Sequence, residues 1–250
     1  MASPRPVESS GPAETLGERT LVLPFVARAR EITWLCELHA QRKHVLIIGP
    51  AGTGKSALVE RLRETLSLLV SSKSAHLGGI CEGLEPQLGL APAGLKLLER
   101  KKRLREALGT VGRVVVFDGV SWTGPKISSF FESVSERAPV WICTCSERPW
   151  DIGHFWPLLV RFARVEVRPF HLSETLALVE AAVQTGGIPP GARKIVGWLQ
   201  RRSAGSPLVL RGLLDEIATR EYNLGSPQAL RRLDLDRRIH GVFKERSHNE

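Results

Sequence analysis

The stretch that decides the fold runs from Val45 to Leu62 and reads VLIIGPAGTGKSALVERL. Four apolar residues, Val45–Ile48, stop at Gly49, and a glycine-rich turn, a lysine and a hydroxyl follow at once. A short, wholly apolar run is what a strand buried on both faces requires. Beyond the turn, Leu58, Val59, Leu62 and Leu66 share one side of a helix expected over residues 56–69. The turn therefore sits between a buried strand and an amphipathic helix.

Gly49, Pro50, Ala51, Gly52, Thr53, Gly54, Lys55 and Ser56 fit the pattern GxxxxGK[ST] in full. Each part has a physical reason. The phosphates of a nucleotide form a dense anion that needs several donors at close range. Successive backbone N–H groups of a bent loop supply them, provided no side chain intrudes and positive φ is allowed. The helix beginning near Gly54 points its positive end at the same place, and Ala57 continues the binding set along it. Lys55 adds a full charge for the β- and γ-phosphates, and Ser56 offers a hydroxyl to Mg²⁺. ATP and magnesium are the expected ligands.

Magnesium takes a second anchor from an acid ending a neighbouring strand. The run RVVVFDG supplies Asp118 after four apolar residues. The residue after it is Gly119, where many ATPases of this kind carry a second acid that activates water. Slow hydrolysis, or a base from elsewhere, is the expectation. Glu147 is read either as that base or as a solvated surface acid. Guanine readers present an NKxD signature, and the chain has no asparagine before Asn223. Adenine is the expected base.

Composition sets the outer bounds. The chain has 250 residues, 42% of them hydrophobic and 24% charged, as in a soluble globular protein. No apolar run approaches the roughly 18 residues that span a bilayer. The N-terminus lacks the apolar core of a signal peptide, so a cytoplasmic location is expected. The four cysteines, Cys36, Cys81, Cys143 and Cys145, form no CxxC pair, and no histidine stands at ligand spacing beside them. Cys143 and Cys145 fall in an apolar run, where thiols act as small hydrophobes. The net charge of +9 permits an acidic partner without demanding one.

Along the chain, residues 1–20 read as a flexible tail and 21–170 as an α/β core. In that core RVVVFDG, PVWICTC and RVEV are further strands, with helices between them. Residues 171–222 read as an all-helical lid, its helices bounded by a serine cap, prolines and glycines. Residues 223–250 read as a charged C-terminal tail.

Several segments then resemble STAND and initiator-type AAA+ ATPases. FVARAREITWL, from Phe25 to Leu35, is similar to their entrance motif near adenine. Arg28 and Glu31 match, while Ala27 and Ala29 replace the usual Gly and Glu. WICTCSER resembles their sensor strand, which implies that Ser146 and Arg148 face the γ-phosphate, one residue out of the usual spacing. LLVRFARVEV resembles the passage into the lid. There Arg161 is read evenly as a trans-acting finger on a neighbour's ATP or as a surface arginine. SAGSPLVLRGLL resembles the GxP lid motif, which implies that Gly205, Ser206 and Pro207 close over the base, with Arg211 one turn further on. The resemblance covers residues 22–222. It implies a P-loop NTPase core, a parallel five-stranded sheet ordered 5-1-4-3-2 and flanked by helices, with a small C-terminal helical lid.

Three functions are weighed. The first is a Mg²⁺-dependent, slow ATPase acting as a conformational switch that presents or assembles a partner, its effector lying on another chain. The second is a DNA-associated AAA+ ATPase, such as a loader or a transposition or recombination regulator. Its support is the basic runs ERKKRLRE, from Glu99 to Glu106, and RRLDLDRRIHGVFKER, from Arg231 to Arg246. The third is a small-molecule kinase that shares the P-loop. A protein partner or a second copy of the chain is expected, nucleic acid is an open alternative, and no membrane association is expected.

Overall fold

The computed structural model describes residue 21 and residues 23–91 and 94–246. The tail read over residues 1–20 lies outside the described residues. Helix α1 (Ala29–Ala40) leads into β1 (Val45–Ile48) and α2 (Lys55–Arg63). Next come β2 (Leu68–Ser71), α3 (Leu77–Leu84), α4 (Leu97–Thr110), β3 (Val114–Val120), α5 (Pro125–Ser135) and β4 (Val140–Thr144). The single turn α6 (Pro149–Ile152) precedes β5 (Ala163–Glu166). Helices α7 (Leu172–Gln184), α8 (Val196–Ser203), α9 (Pro207–Thr219) and α10 (Pro227–Arg246) follow.

The strands form one sheet ordered β2-β3-β4-β1-β5, the expected order read from the other edge. Every pairing is parallel. Alternation along β1 sends Ile47 to one face and Leu46 to the other, as a period of two requires. Ile47 packs with Leu35 of α1, Leu58 and Leu62 of α2, and Trp141 of β4. Leu46 packs with Ile80, Leu104, Phe130 and Phe131 from α3, α4 and α5. Each such fully buried apolar side chain contributes about 1.5–3 kcal/mol. The two packed layers hold the C-terminal edge of the sheet rigid, and that edge carries the glycine-rich turn.

Three expectations need correction. The helix expected over residues 56–69 ends at Arg63, and Leu68–Ser71 is the edge strand β2. Leu68 and Leu69 suit a helical stripe, but pairing with Val114 and Val115 buries them on both faces, so tertiary context overrides local pattern. The first lid helix is capped at His171, whose N–H donates to Glu174 at 2.8 Å, and the serine lies inside the helix. The charged stretch over 223–250 carries helix α10 instead of a free tail. Leu233 is fully buried in the lid core, and Asp234 is buried and ion-paired to Arg202, Arg237 and Arg238. Asp234 and Asp236 of this segment pair with Arg202 and Arg220 of the neighbouring lid elements, which docks the helix.

Helices α7 to α10 share a second apolar core that includes Leu178, Val179, Leu199, Leu213 and Leu214. Leu21, Leu23, Val26 and Ala27 pack against this lid core, although the pattern assigned them to the α/β part.

Candidate functional site

The glycine-rich turn follows β1 directly. Gly49 N–H donates to the Thr144 carbonyl of β4 at 3.3 Å. A β-carbon on Gly49 would stand 2.1 Å from the Val167 carbonyl oxygen, so only glycine permits this approach to the strand beyond. Thr53 Oγ1 donates to Pro50 O at 2.9 Å and closes the turn. Gly54 caps α2 with φ +93°, a left-handed conformation that favours glycine, and a β-carbon there would meet nothing within 4 Å. The space beside Gly54 at the start of α2 is therefore open, and Pro50, Ala51 and Ser56 belong to the turn and helix start on either side of it.

Lys55 is only 8% exposed. Its Nζ donates to Gly49 O at 2.7 Å and Pro50 O at 3.0 Å, and lies 3.6 Å from Cys145 Sγ. Among the described residues no carboxylate stands within salt-bridge distance of it. A buried ammonium compensated by dipoles alone is costly and calls for an anion. A phosphate chain fits this donor set, with Lys55 and the turn amides holding it.

Asp118 comes to the same edge on β3. The β3–β4 register shifts between Phe117 and Val120, so Asp118 and Gly119 form a bulge. Asp118 is 8% exposed and accepts from Gly119 N–H at 2.9 Å. Burial, reinforced by the Asp118 charge, pushes the Cys143 thiol far above its ordinary value, so it remains a donor. Ser56 on α2 and Asp118 on β3 would hold a magnesium ion between them and the phosphates, and the ion would supply charge neutralisation there.

The missing second acid now has a conformational cause. Gly119 has φ +70°, within the bulge that aims Asp118. Installing the usual acid by Gly119→Glu is expected to cost about 1–2 kcal/mol from the left-handed backbone alone. We expect a lower melting temperature and no gain in turnover, measured side by side with the parent chain.

Arg28 and Pro207, expected near the base, line one cavity of about 170 Å³ together with Phe25, Ala57, Phe170 and Leu178. A slot of this size with apolar walls suits a flat purine. Arg28 also braces the site. Its guanidinium donates to Glu31 at 3.0 Å, to Thr53 O at 3.1 Å and to Arg168 O at 2.5 Å, and lies 4.8 Å from the Phe170 ring centre. Ala27 and Arg28 both have positive φ, which accounts for the glycine that resembling chains place at the Ala27 position.

The lid touches the turn directly. Ser206 Oγ and Leu208 N–H both donate to Gly52 O at 3.2 Å. Gly205 has φ +71°, and Phe170 N–H donates to its carbonyl at 2.7 Å. Arg211 lines the purine-sized cavity and lies 4.0 Å from Asp215.

Other expected residues fall elsewhere. Ser146 donates to Asp151 at 2.6 Å, and Arg148 lies 5.9 Å from the Trp150 ring centre. Neither is hydrogen-bonded to the glycine-rich turn. Cys145 is the residue after β4 that reaches Lys55, consistent with the one-residue offset in the motif. Glu147 is ion-paired with Arg164. Arg161 is exposed and lowers the His44 pKa, second to burial. His44 precedes β1, so Arg161 sits at the edge of the sheet opposite the turn and cannot act on the same chain's site. Cys143 and Cys145 were missed because a thiol in an apolar run carries no pattern of its own.

No protein-family model matches the sequence, and no curated protein matches it. Solved structures do share the fold. The Orc1 protein of Aeropyrum pernix, solved in complex with DNA, matches with a TM-score of 0.62 at 15% identity, over 85% of this chain and 66% of that one. Cdc6p from Pyrobaculum aerophilum matches with a TM-score of 0.59 at 14% identity, over 79% of this chain and 63% of that one. The Walker-type ATPase paby2304 of Pyrococcus abyssi matches with a TM-score of 0.58 at 16% identity, over 94% and 79%. The chain thus has the P-loop NTPase fold that these structures share, and it spans about two thirds of the length of the Orc1 and Cdc6p chains. Among the described residues no helix is long and apolar enough to cross a membrane.

Proposed function

We propose that this chain binds ATP with magnesium at the glycine-rich turn and works as a slow, ATP-dependent conformational switch. The observation that carries the reading is Lys55, a buried ammonium at the glycine-rich turn that donates to two carbonyls, Gly49 O and Pro50 O, and has no acid partner among the described residues. The purine sits in the cavity lined by Arg28, Ala57 and Pro207. Because Ser206 and Leu208 rest on Gly52, nucleotide in the turn alters the footing of the lid. Differential contact in the two lid positions is what shifts the equilibrium. Lid movement presents a surface to a partner or to a second copy, and in such an assembly the exposed Arg161 would act as a finger on a neighbour's ATP.

Calorimetric titration of the folded chain with ATP and magnesium tests the reading, and no uptake removes it. Asp118→Asn then separates the roles. It is expected to keep ATP affinity within about tenfold, while Mg²⁺-dependent turnover falls at least about 100-fold. Equal turnover in the two proteins would remove Asp118 from the metal site.

A second reading, association with DNA, draws on the likeness to the Orc1 protein solved with DNA. The two basic runs support it less than their charge count implies. Arg100 is bound bidentately by Glu85, Arg103 donates to Ala91 O, and Arg232, Arg237 and Arg238 are paired with Asp234 or Asp236.

A further inference from the structure

We propose a phosphodiester-binding cleft on the lid, remote from the ATP site. It rests on the DNA-association reading and gives it a location. The cleft has a volume of about 590 Å³ and lies between the turn over residues 190–195, α8 and the start of α10. Lys194, Arg201 and Arg231 border it, one from each element, and its floor includes Trp198, Leu224 and Leu230.

These three cations differ from five arginines of the lid that are paired. Arg202, Arg237 and Arg238 share Asp234, while Arg220 and Arg232 share Asp236. Among the described residues, no carboxylate lies within salt-bridge distance of Lys194, Arg201 or Arg231, and none lines the cleft. The Arg201 guanidinium lies over Gly197, 3.8 Å from where a β-carbon would stand. Three unmatched positive charges around one concavity focus a positive field and attract an extended anion.

The lining combines three cations with the apolar surface of Ile195, Trp198, Leu224 and Leu230. A sugar–phosphate backbone offers both counterparts, an anion and an apolar sugar face at each step. Contacts of this kind position a nucleic acid without reading its sequence. The site belongs to the helical lid that rests on the phosphate turn, so a strand held here would move with the lid.

Fluorescence anisotropy of a short labelled duplex, titrated at increasing salt, tests the proposal. The variant Lys194→Gln/Arg201→Gln/Arg231→Gln is compared with a core variant of equal charge loss, Lys102→Gln/Arg103→Gln/Lys126→Gln. The cleft variant should bind at least about tenfold more weakly at low salt. Its log–log salt slope should fall by about 2.7, at about 0.9 per phosphate contact. The core variant should keep the parental slope, and ATP affinity should be unchanged in both. Arg231→Gln alone should lower the slope by about 0.9 and serves if the triple variant does not fold. Duplex binding that ignores the cleft variant, or falls equally in both, overturns the cleft and leaves DNA association standing. Failure to bind duplex at low salt overturns both. Equal competition by polyglutamate or inorganic phosphate at matched charge would make the cleft a general anion site and overturn backbone recognition.

Discussion

Lys55→Ala should abolish measurable ATP binding while leaving the nucleotide-free protein as stable as before. The two halves of this result have one cause. Lys55 is buried with two carbonyls and a thiol for company, and no acid compensates its charge. Hydrogen bonds from a charged group contribute about 1.5–3 kcal/mol each. Losing two of them to the phosphates lowers affinity at least about 100-fold, at 1.4 kcal/mol per decade. In the empty protein the same ammonium offsets little of its own desolvation, so its removal is close to neutral. The melting temperature without nucleotide should stay within about 4 °C of the parent, equivalent to about 1 kcal/mol. The rise that ATP and magnesium produce in the parent should vanish. A large fall in the nucleotide-free melting temperature would instead assign Lys55 to structure. Binding titrations read the first half and thermal melts the second.

Gly205→Ala should have the opposite signature, with a large loss of stability and an intact phosphate turn. Gly205 has φ +71°, which costs a residue with a side chain about 1–2 kcal/mol. A β-carbon there would also stand 2.3 Å from the Phe170 carbonyl oxygen, a backbone atom that cannot swing aside. Overpacking of this kind adds about 1–3 kcal/mol. The pair of contacts that seat the lid, Phe170 N–H to Gly205 O and Gln200 Nε2 to Phe170 O, would both be displaced. The melting temperature should fall by about 5–15 °C. ATP affinity should fall as well, because Pro207 and Ser206 no longer sit over the cavity and Gly52. Inorganic triphosphate, which needs only the turn and Lys55, should bind the variant as it binds the parent. An unchanged melting temperature would show that the lid is not seated through Gly205.

The amino-acid sequence by itself determined the chemistry of the centre. GPAGTGKS can be read without a structure because backbone donors, positive φ and one lysine form a local device, complete within eight residues. Strand β1 was legible for a related reason. Burial on both faces leaves an unbroken apolar run, and β3 and β4 carried the same mark. Only the tertiary structure decided what depends on partners distant in the chain. Leu68–Ser71 became a strand because β3 was there to pair with it. The segment from Pro227 became a docked helix because Arg202 of α8 meets Asp234. Cys145 came to Lys55 from the end of the neighbouring strand β4, and Gly119 was forced into its bulge by the register of β3 against β4. Local periodicity records how a segment buries its own side chains; it holds no record of which neighbour supplies the opposite charge, the facing strand or the carbonyl that excludes a β-carbon.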